Sequence, residues 1–498
     1  MATGNVTNET LALLKAAQAD PNLDIQKAWN QSNSAVGGIT AYDLEKPAKL
    51  LYPVITPLRN RIPRVSGKGG IQANWRAVTG VNVGNMSAGV SQGNRGGVMS
   101  TTTANYLAAY KGLGLEDYVT FEADLAAEEF QDLKALAVEG LLRAMMIREE
   151  NVILGGRGTV GLGVTPTPTL VGLTTGGTLG ASLVLSVIAV ALTNDGFQSS
   201  NIANGIPGQI TRANADGTTD TYGGGSAQKS TNATVTLSTG TTNSATAIVA
   251  PVQGAVAYAW FWGAAGSEVL GAITTINSVV ITATATGTQT AASLTDSDNS
   301  VNDLVYDGLL TMTSNPANNA YYSAQPTGTA GTGTPLTSDG AGGIVEIDAA
   351  LKWFWDNYRL SPTDIYMSSQ EALNITKKVL ASATGGAQRF TFEVKQEMLA
   401  GGTVVRSYLN KFGMNGAVEL PLHLHPNMPA GTILFYCDLL PYPLSNVRNV
   451  LQIRARRDYY QIEWPMVTRK YEYGVYADEV LQNYFPPSFG MITNIANG

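Results

Sequence analysis

Two histidines, His423 and His425, stand two residues apart in AVELPLHLHP. On an extended strand that spacing puts both imidazoles on one face, where they could offer a metal two nitrogen ligands. A structural zinc site needs four ligands, and the chain has no other histidine and a single cysteine, Cys437. Aspartate or glutamate could complete such a site, but no spacing points to one. No metal and no other cofactor is expected. Nucleophilic catalysis has less to work with, since there is no G-x-S-x-G elbow and both histidines sit together beside Pro426. Cys437 lies inside GTILFYCDLL, the setting of a buried core thiol. Carboxylate pairs such as Glu128–Glu129 occur, but paired acids without a defined cleft do not specify glycoside hydrolysis. The glycine-rich run GGRGTVGLG at 155–163 lacks the strand, lysine and helix order of a phosphate-binding loop. The expectation is a protein that is not an enzyme.

The basic residues that could meet a ligand are Arg454, Arg456 and Arg457 in QIRARRDYYQIEW. Arg454 and Arg456 should share one face of a strand, where carboxylates of the same chain, a phosphate backbone or plain solvent could satisfy them. The formal net charge of -7 gives no global attraction to nucleic acid.

The elements that would position these residues alternate in character. Residues 1–65 are a polar lead punctuated by Pro21, Pro47, Pro53, Pro57 and Pro63, with one short helix expected near Asn8–Ala19. Residues 66–115 read as a long β-hairpin, with arms IQANWRAVTGVNVG and STTTANYLAAYKGLGL around a glycine-rich tip at 84–97. Such a finger has too little apolar content to fold alone and exposes strand edges, so a partner should cover it. Trp75, Tyr106 and Tyr110 on its arms are contact anchors, or else they pack within their own hairpin. A single helix is expected over Phe121–Leu154, roughly 50 Å long, with Phe130, Leu133, Ala137, Leu141 and Ala144 on its buried face and Gly155–Gly156 stopping it. Its many acids either recruit basic partners or form a solvated face. Cys437 cannot form an internal disulfide, and the first residues show no basic region followed by an apolar one, so no export signal is expected. LVLSVIAVAL at 183–192 is too short to span a bilayer and reads as a buried strand.

Between Thr165 and Gly342 only Arg212 and Lys229 are basic, against nine acids, while charges balance in the rest. Strands of V/I/T/A alternation separated by Gly, Asn and Asp turns predict an inserted all-β sandwich of immunoglobulin type, without inter-sheet cysteines. In AVAYAWFWG, Tyr258, Trp260 and Trp262 should face one way and Ala257, Ala259 and Phe261 the other. PTGTAGTGTP, from Pro326, reads as a flexible linker. After it come IVEIDAALKWFWDNY, a helix so apolar that it should be buried on most sides, then the strand DIYMSS, a Ser368/Glu371 capping box, and closing strands of an antiparallel sheet. The fold class is α+β.

In this order, the polar arm (1–65), glycine-tipped hairpin (66–115), long helix (116–164) and closing helix and sheet (343–498) resemble tailed-bacteriophage major capsid proteins of the Hong Kong 97-type fold. The final stretch VTRKYEYGVYADEVLQNYFPPSFGMITNI resembles the end of such proteins. The resemblance covers about two thirds of the chain. It implies an N-terminal arm, extended loop, spine helix, and peripheral and axial domains, with residues 165–342 as an Ig-like insertion on the outer surface. It also implies hexamers and pentamers closing an icosahedral virion shell around double-stranded DNA, assembled in the host cytoplasm through a procapsid, with non-specific DNA contact and no membrane. The further partners implied are a separate scaffolding protein, a portal and a decoration protein. Some relatives weld subunits through a lysine in the loop; here Lys68 and Lys111 lie only at its base, so no cross-link is expected. Two alternatives from other classes are a cell-surface adhesin or surface-layer protein and a polysaccharide-degrading enzyme with an accessory β domain. Removal of 165–342 is expected to leave a soluble framework.

Overall fold

The computed structural model describes residues 53–81, 89–127, 132–381, 405–413, 416–442 and 445–496. The helix expected at Asn8–Ala19, Pro21, Pro47 and Phe130 lie outside them. Pro57 starts α1 (Pro57–Arg61), where its missing N–H costs nothing, and β1 (Arg64–Ser66) follows. β2 (Gln72–Val81) and β3 (Thr101–Ala109) form an antiparallel two-stranded ribbon in which Trp75 opposes Tyr106, with a bulge between Val78 and Gly80. β4 (Lys111–Thr120) leaves the ribbon for a different sheet.

The single helix expected over Phe121–Leu154 is two: α2 (Phe121–Ala126) and α3 (Leu133–Gly155). Each has its own N-cap, Thr120 Oγ1 accepting from Ala123 N and Asp132 Oδ1 accepting from Ala135 N at 3.0 Å. An aspartate that bonds the backbone ahead of it favours a helix start over a helix interior, and this outweighs the strong formers around it. On α3 the buried side chains are Leu141, Met145, Glu149, Glu150 and Val152 to Leu154, whereas Ala144 is exposed. Gly156 ends the helix in extended rather than left-handed backbone, at φ −54° and ψ 142°. Its lack of a side chain serves packing, because a Cβ there would lie 2.4 Å from the Tyr306 carbonyl.

Seven strands then build a sandwich: β5 (Thr169–Leu173), β6 (Val184–Leu192), and, after α4 (Asn194–Ser199) and the small ribbon β7 (Gln209–Ala213) and β8 (Thr219–Gly223), the strands β9 (Ala233–Thr236), β10 (Ser244–Ile248), β11 (Ala257–Gly263), β12 (Val269–Thr274) and β13 (Ser278–Ile281). The sheets run β13-β10-β5 and β12-β11-β6-β9, all antiparallel. The central pair β6–β11 suits a sandwich, but numbering the strands A to G gives G-D-A and F-E-B-C. Immunoglobulin domains have A-B-E-D and C-F-G, so the connectivity differs from that pattern. Tyr258, Trp260 and Trp262 fill the space between the sheets with Val187, Ala247 and Ile281. Ala257, Ala259 and Phe261 face the other way, into a core shared with Val152, Ile153, Leu309 and Leu481. The central strands β6 and β11 are therefore buried on both faces, and the back of this sheet belongs to the framework core.

The boundary expected at Gly342 is not where the sandwich ends. α5 (Leu309–Ser314) packs on α3, and β14 (Tyr321–Ala324) pairs in parallel with the last strand of the chain. The run from Pro326 to Pro335 is not a free linker. Gly331 sits at φ +77° with its Cβ position 2.2 Å from Val280, and Thr334 bridges Ile495. A glycine is required where left-handed backbone meets so close a neighbour.

α6 (Val345–Tyr358) buries one face, Ile347, Ala350, Leu351 and Phe354, while Trp353 and Trp355 stay half-buried. It is amphipathic rather than enclosed on most sides. β15 (Asp364–Met367), α7 (Ser369–Ala381), β16 (Ser407–Asn410), β17 (Val418–Leu424) and β18 (Ile433–Tyr436) follow, then the long β19 (Leu451–Glu463) and β20 (Lys470–Asn483), and β21 (Gly490–Thr493). They form two sheets rather than one antiparallel sheet, β14-β21-β18-β15-β17-β16 and β1-β19-β20-β4. Three of the pairings, β14–β21, β15–β17 and β1–β19, are parallel. The class is α+β.

Candidate assembly interface

The ribbon β2–β3 carries the aromatic residues singled out in the sequence. Trp75 and Tyr106 stack across it with ring centroids 5.9 Å apart, and Tyr484 at the end of β20 meets Trp75 edge-on at 5.9 Å. Trp75 Nε1 is enclosed with no hydrogen-bond partner among the described residues. Tyr106 remains 42% exposed, beside Leu107 at 66% and Val78 at 65%. Tyr110 lies at the ribbon's foot, its hydroxyl against Gly67 and its ring 5.9 Å from the Arg456 guanidinium. Trp75 thus fixes the ribbon to its own body, while exposed apolar side chains stand on both faces of the ribbon, Tyr106 on the Trp75 face and Leu107 and Val78 on the other. Apolar surface of this kind marks an interaction site.

The three arginines of β19 do not form one patch, because the register slips between Ala455 and Arg457. Arg454 Nε is enclosed without a partner among the described residues, Arg456 pairs with Asp478 at 3.0 Å and donates to the Gly70 carbonyl, and Arg457 stacks over Tyr460 at 4.2 Å. None of the three pairs with the acids of α3.

Those acids are taken by the segment before the ribbon. Glu149 and Glu150 are fully buried on α3, and Glu479 on β20 is also fully buried. Arg59 Nε donates to Glu149 at 2.7 Å, and Arg64 binds Glu149, Glu479 at 2.7 Å and Asp458 at 2.7 Å. The Tyr459 hydroxyl also bonds Glu149, and its ring lies about 5 Å beneath both guanidiniums. Glu150 accepts the backbone N–H groups of Leu58 and Arg59 at 2.9 and 2.7 Å, so a carboxylate closes the first turn of α1. Arg61 spans Asp364 and Asp438, both at 2.5 Å, over the Tyr436 ring. Burial lowers the Arg61 and Arg64 pKa values, but the hydrogen-bonded carboxylates outweigh it and raise both. Burial, then the Glu149 charge, pushes Glu479 up to about 7. Residues 56–66 are thereby clamped to α3 and to both large sheets.

The two histidines do not share a site. His423 Nε2 lies 2.7 Å from Asp364, and His425 Nε2 lies 2.6 Å from Glu150. Asn427 N donates to His425 Nδ1 at 3.1 Å, which fixes the Nε2–H tautomer and makes this imidazole part of the clamp. Among the described residues no group of three or more His, Cys, Asp or Glu is placed to hold a metal ion. Cys437 is a free, fully buried thiol, pushed up to about 12 by burial. Lys111 Nζ donates to the Asp303 carbonyl. Among the described residues no helix is long and apolar enough to cross a membrane.

The clamp was missed in the sequence, although two signals mark it. Arg59, Arg61 and Arg64 cluster among prolines, and Glu149–Glu150 interrupt the apolar end of a helix that continues as NVILG.

No family model matches the chain, and no curated protein matches it. Among solved structures, the chain is similar to the capsid of a native GTA particle, at 11% identity over 94% of this chain and 100% of that one, with a TM-score of 0.41. It is similar to the capsid of Myoviridae phage XM1 at 10% identity, over 92% of this chain and 100% of that one, with a TM-score of 0.39. It is also similar to the holo-SrpI encapsulin complex from Synechococcus elongatus PCC 7942, at 8% identity over 90% of this chain and 93% of that one, with a TM-score of 0.38.

Proposed function

We propose that this chain is a major capsid protein of the tailed-bacteriophage type, a structural protein whose copies form hexamers and pentamers of an icosahedral shell around double-stranded DNA. The observation that carries the reading is the ribbon β2–β3. It is a two-stranded ribbon attached to its body at one end, with Ile71, Val78, Leu107 and Val98 exposed along it. An isolated two-stranded ribbon is marginal in water, so this surface is built to be covered by other copies. On this reading the ribbon is the extended loop, α3 the spine helix, the sheet β1-β19-β20-β4 the peripheral domain and the sheet β14-β21-β18-β15-β17-β16 the axial domain. The segment 56–66 ends the N-terminal arm, and the sandwich faces outward. Tyr106 is the aromatic residue of the ribbon left open to a neighbour; Trp75 and Tyr110 hold the ribbon's angle, and Arg456 braces its foot. Arg454 and Arg457 stand on the same sheet as further contact candidates. A separate scaffolding protein, a portal, a decoration protein on the sandwich and non-specific DNA contact complete the partners, and the virion is the location.

The test is expression of the full chain, alone and with a candidate scaffold, and negative-stain imaging of the soluble fraction. Closed shells, rings or tubes are expected. A uniformly monomeric particle under both conditions overturns the reading.

A further inference from the structure

One face of the sheet β1-β19-β20-β4 carries a pocket that the clamp and the ribbon do not use. Leu113, Val119, Tyr473 and Val475 point into the framework core, so the alternate residues Glu116, Tyr118, Glu472 and Gly474 share the opposite face. The pocket lies on that face, across β4, β20 and Trp464 at the end of β19. Its volume is about 360 Å³, and its walls are Glu116, Asp117, Tyr118, Trp464 and Glu472.

Two carboxylate-and-ring settings meet in it, and only one is filled. In the filled one, Lys470 Nζ pairs with Glu472 and lies 4.9 Å over the Tyr118 ring. In the other, Gly474 stands directly opposite Glu116, and the rings of Trp464 and Tyr476 close over it, so that a Cβ at 474 would lie 3.0 Å from the indole and 2.7 Å from the phenol ring. Glu116 accepts the Tyr476 hydroxyl at 2.5 Å, and Asp117 accepts the Tyr118 backbone N–H at 2.8 Å. Neither carboxylate has a cationic partner among the described residues. The same strand repeats the filled arrangement elsewhere, where Lys134 lies 3.6 Å over Tyr471 and pairs with Asp124 at 2.8 Å. An alkylammonium held by a carboxylate against a ring is thus what this sheet uses wherever its own chain can supply one.

We propose that the pocket binds a linear alkyl polyamine, with one ammonium between the Trp464 indole and Glu116, the methylene chain along the aromatic walls, and a second ammonium at Asp117. Charge selects a cation, since three carboxylates line the pocket and Lys470 neutralises one of them. The indole favours an ammonium over its face, and the apolar walls suit methylene groups as they suit a lysine stem. A bare divalent ion fits poorly, because it needs six or more oxygen ligands and this space is walled largely by rings. Every wall belongs to one chain, so binding does not depend on assembly.

Calorimetric titration of the full chain with spermidine, at a fixed ionic strength of about 0.15 M, tests the site. The parent is expected to bind saturably. Glu116→Gln, which keeps the side chain's shape, and Trp464→Leu should each weaken binding about tenfold. Glu139→Gln, on an exposed carboxylate of α3, should leave it unchanged. Lys470→Met empties the filled setting and should tighten binding about threefold, a gain that misfolding would not produce. Mg²⁺ is the control cation and should displace spermidine no better from the parent than from Glu116→Gln. Equal affinity of the parent and Glu116→Gln would show a diffuse counterion and overturn the site. So would the lack of saturable binding below about 10 mM, and either failure leaves the shell reading standing.

Discussion

Glu371 is the residue whose environment and charge conflict most openly. It is fully buried at the start of α7, with Gly431 N at 3.1 Å and Asn374 Nδ2 at 3.3 Å as donors, and burial outweighs them and pushes its carboxyl up to about 7. An acid whose pKa is higher folded than unfolded stabilises the fold below the unfolded value, near 4.5. That contribution is lost as pH rises through about 7. Urea unfolding at pH 5 and pH 8 should therefore cost the parent about 2 kcal/mol more than Glu371→Gln. Parallel losses in the two proteins would show that the ionised carboxylate is accommodated. Glu479 shifts in the same direction, so only the difference between parent and variant reports on Glu371. Arg64 has the opposite logic: it is the cation shared by Glu149 and Glu479, and its removal leaves buried carboxylates uncompensated. Arg64→Ala is expected to destabilise the chain by about 3–5 kcal/mol, read from the denaturation midpoint, and a loss under about 1 kcal/mol would show that Arg59 suffices. Sequence patterns reached part of this scale. Ser368 does accept from Glu371 N, at 3.3 Å, as a capping box would have it. The glutamate's own oxygens, however, go to Asn374 and to a loop sixty residues away, not back to the Ser368 N–H, and no capping pattern encodes that.

At the scale of elements, what was legible followed from period and turn chemistry. The ribbon, the strands of the sandwich and the opposite facing of Trp260 and Phe261 all come from two-residue alternation, which survives in any tertiary setting. The break between α2 and α3 was hidden because helix propensity is nearly uniform across it, and only the Asp132 cap decides. Asp132→Ala should cost about 1 kcal/mol and raise amide exchange in the first turn of α3, while the C-terminal turn, buried all round, stays protected. Equal exchange along the helix would show that the cap is not what starts it. Trp75→Ala acts on the ribbon's angle. It removes the contact with Tyr484, so amide exchange in β2 and β3 should accelerate with little change in the global unfolding midpoint. A midpoint that falls along with it would place the ribbon inside the cooperative core.

On the scale of the whole molecule, the stretch of low charge runs on past the last strand of the sandwich, because composition reports solvent and packing rather than strand pairing. The chain enters and leaves the sandwich at one point, where Leu162 N donates to Ser300 Oγ at 2.8 Å and Asn302 N to the Arg157 carbonyl at 2.8 Å. Beyond that point α5 and β14 are uncharged but framework. β14 covers the edge of β21, and Tyr321 packs on Trp353 and Phe354 at 5.4 and 6.1 Å. The expectation that 165–342 can be removed cleanly must therefore be narrowed. Excision of 165–342 strips a strand from the six-stranded sheet and bares Phe354, so it should give aggregated protein. Excision of 165–300, closed by a short glycine-serine linker, joins ends that are already adjacent and keeps α5, β14 and the Tyr306 bond to Glu479 at 3.0 Å. It still uncovers the framework side of the core that Ala257, Ala259 and Phe261 fill, so its product should be soluble but less stable than the parent. Gel filtration and thermal melting of the two deletions separate these outcomes. Equal solubility of both would mean that β14 adds nothing the sheet needs, and aggregation of both would mean that the sandwich is part of the framework core and not a separable addition.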